Sequence, residues 1–135
     1  MKVLLDTSAI VSFLINDKYT EKSEQIFQEI FEGNLQTFIN ELIFVEVCGV
    51  ISRQIGKEKA ATVYKQINEW VEQGIMEILV QSKEITKIAC EIAINHKIKG
   101  ADAIITATSL YNNLKLITFD NELKDRLKSK ISFYE

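Results

Sequence analysis

Three apolar residues, Val3-Leu4-Leu5, end abruptly on a carboxylate, Asp6, and two hydroxyls, Thr7 and Ser8. A short apolar run bounded by turn-forming residues reads as a strand buried on both faces, with a helical pattern opening behind it near Ala9. Such a strand belongs to a parallel sheet covered by helices, and open sheets of that kind bind ligands at the carboxyl ends of their strands. Asp6 therefore falls where a site is expected.

The rest of the chain repeats this alternation. Residues at helical spacing mark helices over 9–15, 20–32, 41–54, 57–73, 83–96, 101–111 and 120–129. Short apolar runs at 37–39, 75–80, 114–118 and 131–134 read as further strands, the second of them at a sheet edge because Glu77 interrupts it. Gly33, Gly56, Gly74 and Gly100 punctuate the helices, and proline is absent. Strands alternating with helices predict an α/β fold, a three-layer α/β/α arrangement. Its central sheet is mainly parallel with about four to five strands, in one domain spanning 1–135.

Elimination narrows the chemistry. One histidine, His96, leaves no histidine pair for a zinc protease, and Cys48 and Cys90 match no ligand spacing. The two cysteines read as reduced, mostly buried thiols inside helices. No Gly-x-Ser-x-Gly elbow and no glycine-rich phosphate loop is present. No apolar run is long enough to span a bilayer and no leader segment is visible, which predicts a cytoplasmic protein with no membrane role. If the chain is an enzyme, carboxylates do the work.

The net charge is −3, but it divides into −5 over residues 1–82 and +2 over 83–135. A basic C-terminal part beside an acidic site is compatible with a phosphate backbone as ligand.

Four acids stand out: Asp6, Glu46, Asp102 and Asp120. Each aspartate has a structural alternative. Asp6 and Asp120 precede helices and suit N-caps, and Asp102 in a first helical turn offsets the macrodipole. Glu46 resists that account, because it falls within the stripe Leu42, Val45, Gly49, Val50 expected to face the core, and buried carboxylates need a partner or a metal. Glu41 lies about 140° away around the same helix. Asp6 and Asp120 both end apolar strands, which places them at one edge of the sheet, and the Asp102 helix starts at that edge if its connection is right-handed. Ionised carboxylates crowded together call for a cation, and oxygen ligands without histidine favour Mg²⁺ or Mn²⁺.

With these residues in place, the chain resembles the PIN domain family, many of whose members are toxin ribonucleases of VapBC-type toxin–antitoxin pairs. The resemblance is carried by LLDTSAI at 4–10, ELIFVEVCGVISR at 41–53, GADAIITATSL at 100–110 and LITFDNEL at 116–123, in that order. It implies that Asp6, Glu46, Asp102 and Asp120 form an acidic quartet for one or two divalent ions. Thr7, Ser8 and Thr118 are the hydroxyls beside it. It further implies an endoribonuclease acting on RNA, a small antitoxin partner and a homodimer. Arg126, the C-terminal lysines and Arg53 are candidates for holding the RNA backbone. The rival reading is a non-catalytic module, either PIN-like and binding RNA or protein, or receiver-like with Asp6 or a neighbour accepting a phosphoryl group.

Overall fold

The structure, a computed structural model, describes residues 1–135. Its centre is a sheet of four parallel strands: β1 (Lys2–Leu5), β2 (Gln36–Asn40), β3 (Met76–Leu79) and β4 (Lys115–Ile117), in the order β3-β2-β1-β4. The Val3-Leu4-Leu5 run is completely buried, as a strand flanked on both sides by neighbours and on both faces by helices must be. Glu77 lies on the edge strand, β3, as expected. The expected strand at 131–134 reduces to a single parallel bridge between Leu116 and Phe133, because β4 is only three residues long and offers little to pair with.

Seven helices alternate with the strands: α1 (Thr7–Leu14), α2 (Thr20–Phe31), α3 (Glu41–Gln54), α4 (Lys57–Glu72), α5 (Lys83–His96), α6 (Gly100–Tyr111) and α7 (Asn121–Leu127). Helices α1 to α4 pack on one another, and α5 packs on α6, giving the helical layers of an α/β/α fold. Phe13 stacks on Phe27 at 4.0 Å, with Phe31 and Trp70 around the pair, so aromatic contacts join α1, α2 and α4.

Several details differ from the sequence expectation. Helix α1 starts two residues early, since Asp6 is extended and its carboxylate accepts from the Thr7 N–H as a cap. Gly100 opens α6 instead of breaking α5; Lys97, in the left-handed conformation at φ 54°, closes α5. Cys90 is exposed and Cys48 half-buried, so neither is the buried thiol expected, although both are free and helical.

The core stripe of α3 is also different. Its buried residues are Ile43, Val47 and Ile51, and Val45 is 70% exposed. Branched apolar residues surround this helix nearly completely, so hydrophobicity alone left its rotation open, and the three isoleucine and valine positions at i, i+4, i+8 win. The receiver-like alternative also fails on topology. That fold places its first strand between the second and third, whereas β1 here lies between β2 and β4.

Candidate active site

The chain runs from β1 to β2 on one side and places β4 on the other side of β1, so the strand order reverses between β1 and β4. Ligands of open α/β sheets bind outside such a reversal point. Asp6 leaves β1 there and Thr118 to Asp120 leave β4 there, joined at the edge by a hydrogen bond from the Asp6 N–H to the Ile117 carbonyl.

Asp6 is 7% exposed and well supplied with donors. Its Oδ1 accepts from the Thr7 N–H at 2.7 Å, and its Oδ2 accepts from Thr118 Oγ1 at 2.7 Å and from Ser8 Oγ at 3.3 Å. Burial nevertheless raises its pKa above the ordinary value, more than these hydrogen bonds lower it, and the charge of Asp120 adds to the rise. Oδ2 thus has both lone-pair sites engaged, and Oδ1 keeps one for a further partner.

The hydroxyls expected beside the site are all there. Thr118 Oγ1 donates to Asp6 and accepts from the Asp120 N–H at 3.1 Å. Ser8 Oγ accepts from the Phe119 N–H at 3.0 Å, and Thr7 Oγ1 donates to Glu46 Oε1 at 3.2 Å.

Glu46 is half-buried, on the shoulder of the α3 core face, and not in the stripe inferred from sequence. That shoulder turns toward Thr7. Burial raises the Glu46 pKa first, and the charges of Asp6 and Asp102 raise it further. Asp102, half-buried in the first turn of α6, accepts no side-chain hydrogen bond comparable to those of Asp6. Burial raises its pKa, then Asp6 and Asp120; Lys99 and Arg126 pull the other way. Asp120 is exposed and its Oδ1 caps α7 through the Leu123 N–H at 3.1 Å.

Asp6 and Asp102 thus each feel Asp120, and Glu46 feels Asp6 and Asp102, while capping proves compatible with membership of the cluster for Asp6 and Asp120. Glu41 is elsewhere, accepting from the Gln81 N–H. No three histidine, cysteine, aspartate or glutamate side chains close into a ready-made cage for one ion. The donor set is nonetheless all oxygen, the chemistry that suits a hard cation such as Mg²⁺, which keeps several waters and takes one or two carboxylates directly. The residues present fit such an ion. None of the four acids lines a concavity of the molecule.

Lys99 is among the C-terminal lysines expected to meet the RNA backbone, but its place beside Asp102 and the Tyr19–Phe119 stack are not legible in the sequence. Lys99 faces Asp102 from the residue before α6, and Tyr19 stacks on Phe119. Only Phe119, next to Asp120 in LITFDNEL, carried a signal that could have drawn attention.

A family model described as PIN domain matches residues 3–127. The chain is 26% identical to a protein named Ribonuclease VapC6 from Methanocaldococcus jannaschii, over 98% of this chain and 94% of that one. Among solved structures, it resembles VapC20 from Mycobacterium tuberculosis, described as a Sarcin-Ricin loop cleaving toxin, with a TM-score of 0.77 and 13% identity over 91% of this chain and 93% of the other. It also resembles VapBC2 from Rickettsia felis, solved with a DNA fragment from its promoter, with a TM-score of 0.75 and 18% identity over the full length of both chains. No helix here is long and apolar enough to cross a membrane.

Proposed function

The chain belongs to the PIN domain family, and from that premise we propose that it is a metal-dependent endoribonuclease, the toxin of a type II toxin–antitoxin pair. The observation that carries this reading is the gathering of Asp6, Glu46, Asp102 and Asp120 where the strand order reverses between β1 and β4. The ribonuclease name of the 26%-identical relative supports it.

Asp6 and Asp102 are the direct ligands of Mg²⁺ or Mn²⁺ in this reading, with Glu46 and Asp120 completing the set. A divalent ion so held supplies a water of lowered pKa and neutralises charge on the reacting phosphate. The chain's own residues do the positioning. Thr118 and Ser8 fix the Asp6 carboxylate, Thr7 fixes Glu46, and the α7 cap fixes Asp120. Lys99 and Arg126, on the Asp102 side, meet the phosphate backbone.

The partners of this reading are an RNA substrate, a second copy of the chain and a small antitoxin. An exposed apolar strip on α3 and α4, where Phe44 stacks on Tyr64 beside Val45, supports a protein partner, since it is the kind of surface an amphipathic helix covers. The test is cleavage of RNA by the purified chain with Mn²⁺ or Mg²⁺ against excess chelator, for wild type and Asp102→Asn. Cleavage that needs the ion and the aspartate is expected. Equal cleavage in chelator overturns the metal mechanism, and no cleavage of any RNA overturns the enzyme.

A further inference from the structure

Beside the acids, the turn between α1 and α2 folds over the loop that leaves β4. Tyr19 in that turn stacks on Phe119 with ring centroids 4.8 Å apart and an interplanar angle of 20°. Phe119 is covered and stands between Thr118 and Asp120, so the stack is attached to the acidic site by adjacent peptide bonds. Two exposed lysines sit over the rings, Lys18 Nζ at 5.1 Å from the Tyr19 centroid and Lys22 Nζ at 5.7 Å from that of Phe119.

The turn is also held more firmly than a surface connection needs. Asp17 Oδ2 accepts from Ser12 Oγ and its Oδ1 from the Tyr19 N–H, while Thr20 Oγ1 accepts from the Asp17 N–H and reaches the Ser12 and Ile15 carbonyls. Tyr19 is therefore preset, not free to swing.

We propose that Tyr19, backed by Phe119 and flanked by Lys18 and Lys22, is the platform on which this chain holds an unpaired nucleotide of its RNA substrate next to the acidic site. The proposal rests on the ribonuclease reading and adds to it the substrate's conformation and the residues that grip it. Base stacking on an aromatic ring tolerates any sequence and needs an unstacked base, so the platform selects single-stranded RNA over duplex. One face of Tyr19 is taken by Phe119. Lys18 Nζ lies 5.1 Å from the centroid of the half-buried Tyr19 ring, and an exposed cation–π contact is weaker than base–aromatic stacking. An incoming base displaces Lys18 from the ring, and the ammonium turns to the adjoining phosphate, as Lys22 does from its own position. A protein-binding role for the same patch is the competing outcome.

The experiment uses the wild-type chain in chelator, so that RNA binds without being cut. The probe is a short single-stranded oligoribonucleotide carrying 2-aminopurine, whose fluorescence falls when it stacks on an aromatic ring. Wild type and Tyr19→Phe are expected to bind alike and quench. Tyr19→Leu is expected to weaken binding by about tenfold or more and to abolish the quench. The double variant Lys18→Ala/Lys22→Ala is expected to keep the quench and to reduce the slope of log K against log salt by about 1.4, roughly 0.7 for each phosphate of a single strand that is no longer neutralised. If wild type binds and cuts RNA while Tyr19→Leu binds and quenches like it, this inference falls and the ribonuclease reading stands. If the lysine variant leaves the salt slope unchanged, the pairing of these lysines with phosphates is overturned. If wild type neither binds nor cuts RNA, the ribonuclease reading falls and takes this one with it.

Discussion

Thr118 Oγ1 donates to Asp6 Oδ2 at 2.7 Å, across 112 residues of sequence, and the same oxygen accepts from the Asp120 N–H. One buried hydroxyl thus orients an acid at the end of β1 and ties it to an acid at the end of β4. Asp6 would otherwise be a buried carboxylate with only the Thr7 N–H and the longer Ser8 hydrogen bond to favour its charge. The hydroxyls of the site are part of how its acids stay usable.

Thr118→Val keeps the shape and removes that bond. With Thr118 fully enclosed, losing a hydrogen bond to a charged group costs about 1.5–3 kcal/mol, and the acid side of the pH–activity profile moves to higher pH because the Thr118 hydroxyl no longer lowers the Asp6 pKa. Thr118→Ser is expected to restore both. Thermal melts and pH–rate profiles of the two variants check this, and a Val variant with an unshifted acid limb would detach Thr118 from the chemistry.

The fold was legible wherever pattern and punctuation agreed. The β1 run is apolar, short and stopped by Asp6, and β4 repeats the form, so both strand ends and the acids on them could be placed from sequence. The rotation of α3 could not. Its sequence offers apolar residues on most sides, and only the finished packing of Ile43, Val47 and Ile51 shows that Val45 looks outward. Glu46 lies near Asp6 and Thr7, but it borders the core stripe and is not within it. Tyr19 on Phe119 was invisible because it joins an irregular turn to a loop, where no periodicity operates.

The orientation of α3 makes its own prediction. Ile43→Ala, at a completely buried position, is expected to lower stability by about 2–5 kcal/mol. Val45→Ala is expected to change the stability of the isolated chain by no more than about 0.5 kcal/mol. Chemical denaturation of both variants measures this. Equal losses would return Val45 to the core.

Metal-free stability should depend on pH in a direction opposite to that given by carboxylates paired with cations. Asp6, Glu46 and Asp102 all have pKa values raised in the folded chain, with burial as the leading cause. Between the ordinary carboxyl pKa near about 4 and the raised values, the folded state binds more protons than the unfolded one. Their contribution is therefore fully present below the unfolded pKa and is lost as pH rises through the folded values. Melts in chelator from pH 4 upward, compared with Asp102→Asn, isolate the effect. The variant is expected to lose less on the way up, and a parallel pair of curves would contradict the raised value for Asp102.

Asp102 is also the cleanest position at which to separate repulsion from ligation. Asp6→Asn exchanges an acceptor of three hydrogen bonds for a side chain with one acceptor oxygen, so relief of charge and loss of bonding arrive together. Asp102 faces Asp6 and Asp120 without such bonds, and Lys99 and Arg126 offset only part of their repulsion. In chelator at neutral pH, Asp102→Asn is therefore expected to melt above wild type, because the substitution keeps the shape and removes a charge that burial and two neighbouring acids disfavour. Mn²⁺ then reverses the ranking. At about 100 times its dissociation constant it stabilises the wild type by about 2.7 kcal/mol, and the variant, with one ligand fewer, gains clearly less. Asp102→Ala serves as the control for the first turn of α6: it removes the same charge, and its melt in chelator reports whether the carboxylate also supported the helix start. Thermal melts of the three proteins, each with chelator and with Mn²⁺, decide the matter. An equal shift with metal in all three would mean that Asp102 is not a ligand, and a variant that melts below wild type in chelator would mean that the acids do not repel as their positions require.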